Sequence, residues 1–254
     1  MNKLVLIIIV LLIIIYFINN EKTFEHLKYT PIIPKKIYMT YKTKNIPEYV
    51  IPNWKKLYPD YEIILYDNND CLEFLKKEYG QDYVDIFNYI KDGPIKADFW
   101  RACILYKYGG IYTDIDINPY VSIHDILEKD VIFLTCISMV QNQINPHFIY
   151  SVPGHIILEK TVNKYVTMYM NKVDYEYWSW SIVFVMNNVF LDVFKKYLNE
   201  DGIYYDDDNN KYQMLKEIFP SKSDREHYCK YKDKKILNNR YEEYNNHEFI
   251  KKNN

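Results

Sequence analysis

The chain has 254 residues, enough for one sizeable α/β domain but short for two. Its net charge is −2 and 26% of its residues are charged, so bulk charge gives no indication of nucleic-acid binding. No CxxC pair occurs among the four cysteines, and this spacing argues against a zinc site. Cys103 falls inside an apolar helical pattern and is predicted to be a buried free thiol.

The first element is an apolar run of fifteen residues, Leu4–Ile18, which follows Lys3. A membrane-spanning helix needs about 17–25 such residues and a cleaved signal core about 7–15, so length alone leaves both open. No small-x-small cleavage site follows, which favours an uncleaved signal anchor over residues 1–20. Lys3 indicates a cytoplasmic N-terminus, although Lys22 and Lys28 weaken that assignment. We therefore expect a single-pass membrane protein whose main domain lies on the lumenal side, as in the ER or Golgi.

A polar stem over residues 21–33 leads into the main domain, residues 34–250. This domain begins with two predicted strands, Lys36–Tyr41 and Glu62–Tyr66, and two predicted helices. The first helix is Pro47–Tyr58. Asp70 caps the second helix, which ends at Tyr79 before Gly80. Alternating helices and strands are typical of an α/β sheet with crossover connections. Ligands of such sheets bind at the carboxyl ends of the strands.

The most informative stretch is residues 94–118, PIKADFWRACILYKYGGIYTDIDIN. Pro94 is favourable in the first turn of a helix, and Gly109-Gly110 is typical of the left-handed stop that ends one. A period of 3.6 residues puts Asp98 and Arg101 on an apolar face, where side chains three residues apart can pair. Both a surface salt bridge and a polar pair at the edge of a ligand site are compatible with this pattern.

Two aspartates follow the helix at the end of a short strand. Ile111–Thr113 is β-prone, and Asp114 and Asp116 come directly after it. Side chains alternate along a strand, so these two carboxylates are expected to point the same way. Such a pair suits a hard divalent cation that is also bound by phosphate oxygens. Asp-x-Asp is common by chance, and its position after a helix, two glycines and a strand makes it informative.

The chain resembles glycosyltransferase family 32, the sugar-transferring enzymes with a DXD motif, and the segment that carries the resemblance is KADFWRACILYKYGGIYTDIDI. That family includes initiating α-1,6-mannosyltransferases, α-1,4-galactosyltransferases and capsular polysaccharide enzymes. The resemblance implies a GT-A fold, a nucleotide-sugar donor, Mn²⁺ or Mg²⁺, and retention of the anomeric configuration. It also implies that Asp116 binds the metal directly and that Asp114 contacts ribose and the metal. Asp98 and Arg101 would contact the donor sugar and phosphate.

Other segments carry the resemblance more loosely. KIYMTY, residues 36–41, is similar to the family's first strand, whose end meets the nucleotide base, so Tyr38 is a candidate donor contact with strand filling as the alternative. Asp67 matches an acidic family position and is interpreted as a loop or capping residue. GT-A enzymes commonly bring a C-terminal histidine to the metal. His247 fits this spacing loosely, and His227 is its rival.

Beyond residue 118 we predict a strand at Val131–Leu134, a helix at Ile156–Met170 and a solvated acidic loop at Gly202–Asn210. His155 either belongs to the family's S-x-PGH segment or simply caps the helix. In the family, the segment with Asn145 lines the acceptor side. Tyr175–Val185 is rich in aromatic residues, which either stack on sugar rings or pack in the core.

The sequence thus predicts a membrane-anchored, metal-dependent, retaining glycosyltransferase with one GT-A domain and a mixed, mainly parallel sheet. Its partners would be a nucleotide-sugar donor and a glycan or other hydroxyl acceptor, with the oligomeric state left open. One alternative is a non-catalytic carbohydrate-binding relative, motivated by departures from the family pattern at Tyr38, Ser179–Ser181 and the C-terminus. Another is a nucleotidyltransferase or phosphatase-like metal enzyme, which needs further acidic ligands from other strand ends.

Overall fold

The computed structural model describes residues 33–139, 143–219 and 227–239. The predicted anchor, Leu4–Ile18, and the candidate ligand His247 lie outside these ranges. Within them, every helix is too short or too polar to cross a bilayer.

Ten strands form one sheet. They are β1 Lys36–Thr40, β2 Glu62–Tyr66, β3 Gly110–Thr113, β4 Ile117–Pro119, β5 Val131–Ile137, β6 Ile144–Ser151, β7 Gly202–Tyr205, β8 Lys211–Ile218, β9 His227–Tyr231 and β10 Lys234–Asn239. Their order is β2-β1-β3-β6-β5-β8-β9-β10-β4, and β7 also pairs with β8.

The sheet is mixed, as predicted, but the prediction that it is mainly parallel is wrong. β1 pairs in parallel with β2 and β3, and β5 pairs in parallel with β8. The other six pairings are antiparallel. Helices lie between β1 and β2, between β2 and β3 and between β6 and β7, whereas short connections join β5 to β6, β7 to β8 and β9 to β10, which favours antiparallel neighbours.

The described helices are α1 Val50–Leu57, α2 Asn68–Tyr79, α3 Gln81–Tyr89, α4 Gly93–Tyr108, α5 Ile156–Met170, α6 Tyr177–Trp180 and α7 Ile182–Phe194. The predicted bounds of α5 are confirmed. At the start of α2, the carboxylate of Asp67 accepts hydrogen bonds from the amides of Asn69 and Asp70. The Asp70 carboxylate accepts in return from the Asp67 amide at 3.0 Å. Asp67 is therefore the cap, and the prediction that Asp70 caps this helix is wrong.

The sheet separates two apolar cores, because successive side chains along a strand point to opposite faces. On one face, Tyr38 and Tyr112 pack with the helices α2, α3, α4, α5 and α7. On the other face, Ile37 and Ile111 pack with Trp54 of α1. The ends of β1 and β3 are thus held from both sides.

The link between β3 and β4 requires the sheet to curl. β3 ends at Thr113 and β4 begins at Ile117, so three residues join them. In the order of pairing, however, β6, β5, β8, β9 and β10 lie between these two strands. The sheet must therefore bend round until β4 returns to the end of β3. Residues 114–116 lie where β4, the last strand in the order of pairing, comes back to the end of β3. Trp54 Nε1 fixes this point by donating a hydrogen bond to the Ile117 carbonyl at 3.1 Å.

The two glycines after α4 are required by close backbone contacts. Gly109 has φ 63°, and a Cβ there would lie 2.6 Å from the nitrogen of Pro153. Gly110 has φ 105°, and its Cβ would lie 2.9 Å from the Lys36 carbonyl oxygen. Only glycine tolerates these positions without displacing backbone. The predicted end of the helix at these two glycines is confirmed. The chain then enters the sheet as β3, directly beside β1.

Candidate functional site

A cleft of about 340 Å³ lies where β1 and β3 end, beside the first turns of α2 and α4. Its walls come from these four elements and from the β3–β4 link: Thr40, Tyr41, Lys42, Asn68, Gly93, Pro94, Ala97, Arg101, Asp114, Ile115 and Asp116. The carboxyl ends of parallel strands are the usual ligand sites of α/β sheets. The position predicted for the aspartate pair is therefore a concave surface.

Arg101 is the centre of a buried polar network. Its Nη2 lies 2.9 Å from Asp98 Oδ1 and 3.1 Å from Asp114 Oδ1, and its Nη1 donates to the Pro146 carbonyl at 2.8 Å. The guanidinium also lies over the Tyr112 ring, 4.3 Å from its centroid. Asp98 and Arg101 are only 7% and 5% exposed, so the predicted pair exists and is not a surface salt bridge.

Asp98 lies behind Arg101 and is not among the residues of the cleft wall. Its second oxygen, Oδ2, accepts a hydrogen bond from the Ile182 amide at 2.9 Å, at the start of α7. Burial raises the pKa of Asp98 to about 6, against the opposing effect of Arg101. Both carboxylate oxygens thus have protein partners. In this arrangement Asp98 holds Arg101 in position, and the direct sugar contact that the resemblance implies for Asp98 stays a prediction.

Asp114 and Asp116 both line the cleft. The Asp114 side chain is 31% exposed, and its Oδ1 accepts from the Tyr112 hydroxyl at 2.6 Å as well as from Arg101. Its amide donates to the His147 carbonyl at 3.0 Å, which fixes the backbone of the turn. Burial and the neighbouring Asp114 carboxylate raise the pKa of Asp116 to about 7, while His147 acts in the opposite direction.

These two side chains fit a divalent cation. Carboxylate oxygens are the ligands that Mn²⁺ and Mg²⁺ prefer. Burial, and after it the neighbouring Asp114 carboxylate, raises the pKa of Asp116 and so disfavours its negative charge, a penalty that a bound cation would reduce. Arg101 adds a fixed positive charge to the same wall, in the planar form that pairs well with phosphate oxygens.

Tyr38 does not reach the cleft. It is 1% exposed and lies in the core, 6.4 Å from the ring of Tyr66, so the structure shows strand filling in place of a donor contact. The cleft wall is formed instead by Thr40, at the end of the same strand, and by Tyr41, directly after it. The signal that points to them is the rule that strand ends, and not strand interiors, carry ligand sites.

Two predicted histidine roles can be compared with the structure. His155 caps α5, since its Nδ1 accepts from the Ile157 amide at 3.2 Å, and burial lowers its pKa to about 3. It is therefore a neutral core residue. His227 begins β9, with its ring 4.0 Å from that of Phe219, and pairs in the sheet with Asn239.

Asn145, the aromatic segment Tyr175–Val185 and the acidic loop are not among the residues of the cleft wall. Asn145 donates from its side-chain amide to Glu217 Oε2 at 3.2 Å, within the sheet. In the aromatic segment, Trp180 is buried in the core, whereas Trp178 is 68% exposed. The acidic loop begins with β7, and Asp206 there accepts hydrogen bonds from its own turn, so it is structural.

A second hollow, of about 350 Å³, lies along β2 and α2. Four of its five charged side chains are already paired: Lys44 with Asp70, and Glu78 with Lys77 at 3.3 Å and with Lys107 at 3.2 Å. The cleft at the aspartate pair, which holds a buried arginine and two clustered acids, is the better candidate site.

The comparisons with known proteins concern the segment that builds this cleft. Residues 47–133 match the family described as the glycosyltransferase sugar-binding region containing a DXD motif. The chain is 41% identical to a mannosyl phosphorylinositol ceramide synthase of Saccharomyces cerevisiae over an alignment of 92 residues. This alignment covers 34% of this chain and 23% of that relative. Over 89 residues the chain is 39% identical to inositol phosphoceramide mannosyltransferase 3 of Schizosaccharomyces pombe, covering 34% and 25%.

A third relative, the initiation-specific α-1,6-mannosyltransferase of Candida albicans, is 32% identical over 92 residues, which cover 33% of this chain and 24% of that one. The chain thus matches about a quarter of the length of these curated relatives. Among solved structures, a PaToxG glycosyltransferase aligns with a TM-score of 0.48 and 20% identity, over 70% of this chain and 75% of the other. The resemblance predicted from residues 94–118 is confirmed: residues 47–133 of this chain are similar to the DXD-containing sugar-binding region of glycosyltransferases.

Proposed function

We propose that this chain is a metal-dependent, retaining glycosyltransferase of GT-A fold, which moves a sugar from a UDP- or GDP-sugar to a hydroxyl acceptor. The observation that carries the proposal is the cleft wall where Asp114 and Asp116 lie beside Arg101. Nucleotide-sugar donors carry a diphosphate, and this wall combines a pair of cation ligands with a fixed guanidinium.

Each side chain of this wall has a role in the proposal. Asp114 and Asp116 would hold Mn²⁺ or Mg²⁺, which when bound neutralises the diphosphate leaving group. Arg101 binds a phosphate oxygen or the donor sugar from the side. Asp98 is a positioning residue that fixes the guanidinium through Nη2. Because the network is already ordered and buried, its charges need no reorganisation when negative charge develops on the leaving phosphate.

The opposite end of the cleft suits the nucleoside. Thr40, Tyr41 and Lys42 at the end of β1, with Asn68 at the start of α2, bring an aromatic ring and polar side chains to one wall. A ring face and a few polar groups are what a nucleoside site needs. Tyr38 would support this wall from the core and would not touch the base.

The relatives support a specific donor and acceptor. Of the three curated relatives named above, two are named mannosyltransferases and one a mannosyl phosphorylinositol ceramide synthase, and two of the three are named for an inositol-containing ceramide. We therefore propose mannose as the sugar, with GDP-mannose as the first donor to test, and a hydroxyl on a glycan or on an inositol-containing lipid as the acceptor.

The third cation ligand and the membrane anchor are further parts of the proposal. Asn239 at the end of β10 pairs with Ile117, the residue after Asp116. His247 is eight positions after Asn239, and an extended chain spans up to about 26–29 Å over eight positions, which puts the cation within reach of His247 in this proposal. His227 lies across β10 from Ile117 and is the alternative ligand. We also propose that residues 1–20 anchor the protein with its catalytic domain on the lumenal side.

The rival functions have less support. A nucleotidyltransferase or phosphatase-like enzyme needs additional acids around its metals, whereas Asp114 and Asp116 are the acidic side chains of the cleft wall within the described ranges. A non-catalytic carbohydrate-binding relative has no need of a buried arginine network aimed at a cation site.

The test is hydrolysis of a panel of UDP- and GDP-sugars by the purified full-length chain, with Mn²⁺, Mg²⁺ or EDTA. We expect slow release of nucleotide from one donor, with GDP-mannose first, that stops in EDTA and in Asp116→Asn. Asp207→Asn, at an exposed acid of the β7–β8 loop, is the matched control and should retain full activity. Donor binding without turnover would support the non-catalytic alternative. Turnover in EDTA would contradict the metal assignment.

A further inference from the structure

Two cysteines and a histidine meet inside the curled sheet, at a place that the sugar-transfer site does not use. The ligand atoms of Cys136, His147 and Cys229 all lie within 4.8 Å of one another, and all three residues are buried. Cys229 Sγ lies 3.3 Å from His147 Nε2. No hydrogen-bond partner of His147 Nδ1 occurs in the described part of the chain, although this atom is buried.

The sheet topology explains why these residues meet despite their distance in sequence. Cys136 is on β5, His147 on β6 and Cys229 on β9. Between Thr135 and Cys136 the register of β5 and β6 shifts, because Thr135 pairs with Ile149 and Cys136 with Asn145. His147 lies within the extra residues of this irregularity, and such bulges often redirect a side chain. The absence of a CxxC pair is therefore no argument against a zinc site here, since three different strands supply the ligands.

The geometry suits a tetrahedral metal. Zinc binds cysteine sulfur at about 2.3 Å and histidine nitrogen at about 2.0–2.1 Å, so a tetrahedral site separates sulfur from nitrogen by about 3.6 Å and two sulfurs by about 3.8 Å. The observed separation of 3.3 Å requires only a small adjustment. Thiolate and imidazole ligands favour Zn²⁺ over the hard cations that carboxylates bind.

Charge also favours metal in this buried position. Zn²⁺ with two thiolates and a neutral imidazole has no net charge, so the ion can be buried without the cost of an unpaired charge. Binding releases the two thiol protons to solvent and forms two Zn–S bonds. Zinc binding also gives the His147 imidazole a metal–nitrogen bond. Without zinc, the described contact of this nitrogen is with the Cys229 thiol. The fourth position is left for a water or for Glu217, a buried acid that pairs with Cys229 in the register of β8 and β9.

A disulfide between the two cysteines is less compatible with the sheet. β8 lies between β5 and β9 and pairs with both. Neighbouring strands are about 4.8 Å apart, so the two cysteines lie on strands separated by about 9–10 Å. A disulfide requires Cα atoms within about 7 Å. A zinc ion bridges the larger gap because it adds two metal–ligand bonds between the sulfurs.

We propose that Cys136, His147 and Cys229 form a structural zinc site, which ties β5, β6 and β9 together behind the aspartate turn. The turn is connected to this site directly, because the Asp114 amide donates to the His147 carbonyl. The site is distinct from the carboxylate pair in ligand type. It does not depend on the sugar-transfer proposal.

The test uses the full-length chain, kept reduced and freed of metal, and Co²⁺ as a spectroscopic probe for zinc. We expect one equivalent of Co²⁺ to produce a thiolate-to-cobalt charge-transfer band, which Zn²⁺ then abolishes by displacement. Cys229→Ser and the double variant Cys136→Ala/Cys229→Ala should lose the band and at least about 100-fold in zinc affinity. Cys71→Ser, at a buried thiol outside the cluster, should retain it.

Further variants and measurements distinguish the possible outcomes. Asp116→Asn should keep the cobalt band, which separates this site from the proposed cation site. The alanine double variant keeps both positions apolar inside their core, and zinc should raise the melting temperature of the wild type but not of this variant. A wild-type protein without a thiolate band, a band that persists in Cys229→Ser, or a mass two hydrogens lower, which would show a disulfide, would each overturn the proposal.

Discussion

Replacing Arg101 by lysine tests whether the buried network depends on the guanidinium and not on charge alone. Arg101 uses one nitrogen for Asp98 and Asp114 and another for the Pro146 carbonyl, at 2.9, 3.1 and 2.8 Å. A lysine has a single nitrogen on a flexible stem that ends short of the arginine Nη atoms, so it cannot occupy both nitrogen positions that contact these three acceptors. Hydrogen bonds to charged groups contribute about 1.5–3 kcal/mol each. Allowing for relaxation, we expect Arg101→Lys to lower the free energy of unfolding by about 2–3 kcal/mol.

The assay is urea denaturation without metal or nucleotide, so that stability is measured apart from ligand binding. Lys164→Met is a suitable control, because it removes an exposed ion pair with Asp192 whose atoms are 3.4 Å apart. Such surface pairs contribute less than about 1 kcal/mol. If Arg101→Lys unfolds within about 0.5 kcal/mol of the wild type, with an unchanged denaturant slope, the network does not need the guanidinium and the reasoning fails.

Three further predictions concern the cation, a helix cap and a glycine. The pKa of Asp116 is raised to about 7, so below that pH a proton must leave before a metal binds. The Mn²⁺ affinity should therefore fall by about tenfold per pH unit below pH 7 and level off above pH 8, and a calorimetric titration that shows no pH dependence would contradict this. Asp67→Ala removes the cap of α2 and should cost about 0.5–2 kcal/mol in urea denaturation, whereas an unchanged midpoint would count against the capping box. Gly109→Ala places a Cβ 2.6 Å from the Pro153 nitrogen and should destabilise by more than about 2 kcal/mol. Gly154→Ala, at φ 69° with no atom within 4 Å, should cost only about 1–2 kcal/mol, and equal losses would show that the close contact is unimportant.

The α4–β3–aspartate stretch could be predicted from sequence because its signals are local. A proline in the first turn and two glycines at the end mark α4, and a 3.6-residue period puts Asp98 and Arg101 on one face. The same reasoning could not tell which of Asp67 and Asp70 caps α2, because in a capping box each carboxylate accepts from the other's amide and the pattern is reciprocal.

The strands after β5 are not evident from the sequence, and β8, for example, lacks the alternation that marks a strand with one exposed face. β8 is buried at six consecutive positions, Tyr212–Glu217, since helices cover one face and the curled sheet covers the other. Its sequence therefore shows no period of two. The curl itself depends on β10 pairing with β4 over more than a hundred residues of chain. No local pattern encodes such a contact.

For individual side chains, the position along a strand determines whether the side chain lies in the core or lines the cleft. Tyr38 is inside β1 and is buried, whereas Thr40 and Tyr41 at its end line the cleft. A family resemblance identifies the strand, but the exact residue that faces the ligand depends on where the strand ends. The cluster of Cys136, His147 and Cys229 shows the same limit, because its members come from three strands and share no sequence spacing.

The central claim is that Asp114 and Asp116 bind a cation that in turn binds a diphosphate. Its most direct test is calorimetric titration of Mn²⁺ into the zinc-loaded full-length protein, with and without GDP or UDP. We predict one equivalent of Mn²⁺, bound more tightly when one of these nucleotides is present, and loss of that binding in Asp114→Asn/Asp116→Asn. Manganese binding that the double variant leaves unchanged, or that neither nucleotide strengthens, would contradict the account.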